Sequence, residues 1–131
     1  MKLTTDILEE KFDECNKQYF NSELPYPFLG VFSKKRPFAK FTYLIKKKNG
    51  KKELLYKKIS ISDYYDFTEE QLIDILVHEM IHYYIAYNGI KDNKEHGKEF
   101  TLMMDRLNNE FGLGIMKTRS TSSYTRKRAN D

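Results

Sequence analysis

Along residues 6 to 20 the apolar positions Leu8, Phe12, Cys15 and Tyr19 recur at helical spacing. Asp6, Glu9 and Glu10 crowd the end where a helix dipole is positive, so the pattern predicts an amphipathic first helix. It stops near Asn21, because Ser22-Glu23-Leu24-Pro25-Tyr26-Pro27 places two prolines where the helix would have to continue. From Phe28 to Ser62 the texture changes to short β-prone runs at 28–32, 38–45 and 54–62, and three strands are expected. The second and third flank Asn49-Gly50, a strong hairpin signal, with Ile59 and Ile61 on one face and Ser60 and Ser62 on the other. Pairing across that turn sets Lys48 opposite Lys51 and Lys47 opposite Lys52, and like charges directly opposed are unfavourable.

A longer apolar segment follows. Thr68 and Gln71 make a capping box at its start and Gly89 supplies its stop. Between them Leu72, Ile73, Ile75, Leu76, Val77, Met80, Ile81 and Ile85 leave almost no polar face, which is how a buried central helix reads. A second capping box, Asp92 with Glu95, predicts a last helix whose apolar stripe is Phe100, Met103, Met104, Leu107 and Phe111, closed by Gly112 and Gly114. His96 stands four residues before Phe100 and is expected on the same stripe, facing the core. The order predicts an α+β domain over residues 1–116, followed by a basic tail, 117–131, whose Ser, Thr, Lys and Arg content reads as flexible.

At 131 residues, 40% hydrophobic, the chain can bury one real core and not two. Residues 1–6 lack an apolar signal core and no run approaches the length of a membrane span, so a cytoplasmic protein without membrane contact is expected. The single cysteine, Cys15, permits no internal disulfide and reads as a small buried hydrophobe. The net charge of +4 conceals a segregation: residues 34–58 carry +10 and 117–131 carry +4, while 59–116 carry −7. A basic block of this kind steers a polyanion or guards an exposed strand edge. If the former, Lys46, Lys47, Lys48, Lys51 and Lys52 on the hairpin and the tail would be a nucleic-acid-binding surface.

The chemistry lies in the central helix, where His78-Glu79-Met80-Ile81-His82 sets two imidazoles four residues apart on one face. Both can reach one metal ion, and Glu79 between them can act on a water beside it. Shuffling this composition would give such a His-Glu-x-x-His string roughly once in 250 trials. A catalytic zinc site takes three protein ligands and keeps a position for water. His96, the only remaining histidine, is the first candidate for the third, with Glu95 and Glu99 as alternatives. The longer metzincin pattern fails, since Ile85 and Asn88 stand where it needs Gly and His. Two other readings stay open: a metal hydrolase acting on something other than peptides, and a zinc-stabilised nucleic-acid module without catalysis, although a structural zinc site usually has four protein ligands.

His78-Glu79-Met80-Ile81-His82, followed after thirteen residues by His96-Gly97-Lys98-Glu99-Phe100, resembles the SprT-like metallopeptidase domain also found in Spartan proteases. Tyr19-Phe20-Asn21-Ser22-Glu23-Leu24-Pro25 is similar to that family's segment after its first helix. The resemblance implies a zincin-like fold: an N-terminal helix, a small three-stranded sheet with a hairpin, the HExxH helix, and a C-terminal helix supplying the third ligand. It implies one zinc ion per chain held by His78, His82 and His96, Glu79 as general base, protein or peptide substrates, and action near DNA. Many members add a cysteine-rich zinc ribbon, which a chain with only Cys15 cannot build.

Overall fold

A computed structural model describes residues 2–118 and 121–126. Helix α1 spans Thr5–Tyr19, with the Thr4 hydroxyl accepting from the Ile7 N–H as its cap. Leu8, Phe12 and Cys15 form its buried face, and burial pushes the Cys15 thiol up to about 12, consistent with an inert hydrophobe. After the helix Asn21 and Ser22 turn the chain through positive φ, and the Asn16 amide clamps both the N–H and the C=O of Leu24. The Tyr83 hydroxyl donates to the Pro25 carbonyl at 2.6 Å, which ties this turn to the central helix.

Strands β1 (Phe28–Phe32), β2 (Ala39–Lys48) and β3 (Lys51–Ser62) form a sheet in the order β1-β3-β2. β1 runs parallel to β3, and β2 pairs antiparallel through the expected Lys47↔Lys52 and Lys48↔Lys51 positions. Asn49 and Gly50 both take positive φ (53° and 76°), the requirement of the two-residue turn matching strand twist. Both hairpin strands run further toward the turn than their β-propensity suggests, because ladder pairing carries the lysines along. The expected alternation at the end of β3 does not expose its serines: Ser60 and Ser62 are buried with Ile59 and Ile61. Ser62 Oγ donates to the Lys34 carbonyl and accepts from the Lys34 and Tyr64 N–H groups, so neighbouring loop backbone, rather than water, satisfies it.

Helix α2 (Glu69–Tyr87) begins at the predicted Thr68–Gln71 capping box, with both reciprocal bonds made. It ends in a Schellman turn in which Gly89 (φ 61°) bonds back to Ala86 and Ile90 to Ile85. Leu72, Ile75, Leu76, Val77, Met80, Ile81 and Tyr83 are buried, so α2 is the core element against which α1, the sheet and the last helix pack. It is not long and apolar enough to cross a membrane, nor is any other helix among the described residues.

Helix α3 covers Lys98–Phe111, starting five residues later than a cap at Asp92 requires. Asp92 caps it from a distance: Asp92 Oδ2 accepts the Phe100 N–H at 3.0 Å across a turn. Gly97, the residue before the helix, has room for this only because it lacks a Cβ, which would sit 2.1 Å from Asp92 Oδ1. Residues 93–96 are thereby looped out ahead of the helix. In the segment expected to be flexible, Thr121–Ser123 form a short 3-10 turn and β5 (Thr125–Arg126) pairs with β4 (Tyr65–Asp66). Tyr124 is buried among Phe38, Tyr65 and Phe67 at ring-centroid distances of 5.1–5.5 Å, an aromatic anchor that Ser/Thr/Lys/Arg composition conceals. Residues 127–131 of that segment lie outside the described residues.

Candidate metal centre

One turn of α2 places His78 and His82 on the same face, and the loop held by Asp92 brings His96 to them. His96 therefore does not share the stripe of α3 as expected; it reaches the same place from the turn before it. Nε2 of His82 lies 3.1 Å from Nε2 of His96, which lies 3.2 Å from Nε2 of His78. One ring nitrogen carries either a single proton or a single lone pair, so these contacts cannot both be full hydrogen bonds. Three lone pairs converging on one point do suit a cation. Tetrahedral coordination at the usual zinc–imidazole length puts nitrogens about 3.3 Å apart, and the donor set fits that ion. Glu95 and Glu99 do not join the cluster.

Two supports hold the imidazoles. The His78 Nδ1–H donates to the Met116 carbonyl at 2.8 Å, which leaves Nε2 unprotonated and turned inward. Met116 carries no signal in sequence because its backbone, not its side chain, is used. Beneath all three rings lies Phe100, fully buried, with centroids 4.9, 4.7 and 4.9 Å from those of His78, His82 and His96. Periodicity marks Phe100 as core; only its place in His-Gly-x-x-Phe hints at a role in the site. Desolvation alone would raise the Asp92 carboxyl, but N–H groups of Phe100, Glu99, Asn93 and Lys98 outweigh it and hold it below its ordinary value.

Burial, with smaller effects from the neighbouring rings of His78 and His96, depresses His82 to about 3, so that ring is neutral and ready to donate a lone pair. Glu79 is 7% exposed and approaches His78 Nε2 to 4.0 Å. Burial first, then the charge of Glu95, pushes its carboxyl up to about 8. Two hollows meet at His78 and Glu79. The larger, about 920 Å³, runs beside Phe41, Tyr43 and Ile45 of β2. The smaller, about 440 Å³, opens between Ala39 and Met116. β2 is an edge of its sheet, so one side of its backbone has no strand partner among the described residues. Lys46, Lys47, Lys48, Lys51 and Lys52 all stand exposed on the hairpin, and only Lys52 lines the larger hollow.

An α+β domain that buries a glutamate beside three converging imidazoles, two from its central helix and one from the loop before α3, could hold a metal ion at the side of a cleft. The chain belongs to the SprT-like family, whose sequence profile matches residues 8–124. That span includes the segment carrying Met116 and Tyr124. No curated protein matches the chain.

Proposed function

We propose that the protein is a zinc-dependent peptidase. The observation that carries this reading is the convergence of three imidazole Nε2 atoms beside a buried carboxylate, in a cleft bounded by a free strand edge. His78, His82 and His96 would hold the ion. Zinc there would supply Lewis-acid polarisation of a peptide carbonyl and lower the pKa of a water molecule. Glu79 takes the proton from the attacking water and returns it to the leaving amine. The unpaired edge of β2 offers backbone N–H and C=O groups to an extended substrate, which fixes the scissile bond without demanding a particular sequence. Three candidate protein ligands among the described residues favour this over the structural-zinc reading, which calls for a fourth. DNA contact through the lysine hairpin would bring the peptidase to DNA-associated proteins.

The test is Glu79→Gln. The amide keeps the shape and cannot accept the proton, so the variant is expected to retain fold and zinc while hydrolysis of unfolded and DNA-bound protein substrates disappears. Undiminished turnover by the zinc-loaded variant would sink the proposal.

A further inference from the structure

The smaller hollow has fixed walls and an unspent charge. On one side the chain is pinned three times in succession: the Gly114 N–H donates to Asp74 Oδ1, Asn108 bonds both the N–H and the C=O of Ile115, and Met116 accepts from His78. Lys117 follows directly. On the other side Ser62 holds Lys34 and the Tyr65 hydroxyl donates to the Lys35 carbonyl, and Arg36 comes next. Arg36 and Lys117 both line the hollow and both are exposed, so their charges lie at its mouth. Neither forms an ion pair among the described residues. Its apolar lining comes from Pro37, Phe38, Ala39, Ile75 and Met116. Two carboxylates also line it: Asp74, which accepts from the Gly114 N–H on the wall and keeps its charge, and Glu79, which belongs to the candidate metal site, so Arg36 and Lys117 are the charges presented at the mouth.

Both hollows share Pro37, Ala39, His78 and Glu79, so a peptide following β2 past Glu79 carries a side chain into the smaller one. The geometry points to this hollow as a substrate subsite for glutamate, whose methylenes meet Ala39, Ile75 and Met116 while its carboxylate meets Arg36 and Lys117. Aspartate is too short to fill the apolar part, and lysine or arginine meets two like charges. The inference rests on the peptidase reading and names the substrate class it prefers.

Two readouts separate the inference from that reading. In a digest of a mixed peptide library by the zinc-loaded protein, glutamate should be enriched over glutamine at one position flanking the scissile bond, roughly fivefold for two partly exposed charge pairs. Arg36→Gln with Lys117→Gln should flatten that enrichment, and Arg36→Glu with Lys117→Glu should turn it toward lysine. Independently of turnover, the zinc-loaded Glu79→Gln protein should bind a fluorescent glutamate-containing peptide more tightly than its glutamine counterpart, and the difference should vanish with the Arg36 and Lys117 substitutions. Cleavage with a flat profile overturns the subsite and leaves the peptidase. Selective binding without any cleavage by the unaltered protein supports the subsite and overturns the peptidase. Equal binding of the two peptides overturns the subsite in either case.

Discussion

Phe100 touches all three imidazoles, and replacing it separates the fold from the metal centre. Its side chain is fully buried, so Phe100→Ala would cost about 3–5 kcal/mol. That is a large part of the roughly 5–15 kcal/mol holding a domain together, and partial unfolding would confuse the result. Phe100→Leu keeps most of the volume and costs about 1–2 kcal/mol. What it removes is the flat ring under His78, His82 and His96, at 4.7–4.9 Å from each. Loss of a group that orients metal ligands lowers metal affinity by about 10–100-fold, equivalent to about 1.4–2.7 kcal/mol. Leu107→Ala is the control, because Leu107 is equally buried on the same helix and does not line the metal centre. It should cost about 2–5 kcal/mol of stability and leave zinc affinity unchanged. The assay is competition with a fluorescent zinc chelator under conditions where urea titration shows each variant folded. Zinc affinity of Phe100→Leu within twofold of the unaltered protein, or an equal loss in Leu107→Ala, refutes the reasoning.

Two further outcomes follow from charge. In the metal-free protein His82 is depressed from 6.5 to about 3 and Glu79 is raised from 4.5 to about 8, each first by burial. As pH falls through 6.5 the unfolded chain alone takes up the His82 proton, which destabilises the fold down to about 3; as pH rises through 4.5 it alone releases the Glu79 proton, which destabilises it up to about 8. The two slopes cancel between about 4.5 and 6.5, so metal-free melting temperature should be flat there and fall from pH 6.5 to 8, while zinc raises it throughout by binding the folded chain. A rising metal-free melting temperature over pH 6.5–8 contradicts this. Replacing Lys46, Lys47, Lys48, Lys51 and Lys52 by Gln should leave the fold intact and abolish a sequence-tolerant, steeply salt-dependent DNA gel shift; absence of any shift by the unaltered protein at low salt leaves these lysines as a solvated edge.

Much of this architecture is legible in the sequence because local rules and burial agree. Thr68 and Gln71 start α2 where a capping box must, Asn49-Gly50 turns the hairpin, and Gly89 and Gly112 stop helices through positive φ. The three histidines converge because the motif spacing fixes two and the fold leaves the third one destination. What stayed hidden depends on long-range partners. Asp92 has the right neighbours for a local cap, yet its carboxylate reaches eight residues on, made feasible by Gly97. Met116 acts through its carbonyl, and Tyr124 is an isolated aromatic whose burial depends on a cluster assembled from Phe38, Tyr65 and Phe67. No periodicity reports such contacts.

Elemental analysis of the purified protein beside its His96→Ala variant, with folding checked by circular dichroism, reads the metal centre itself. Three imidazoles on one ion predict about one equivalent of zinc per chain in the first and its loss in the second. Full zinc retention by His96→Ala, or a folded unaltered protein that binds no metal, contradicts the account.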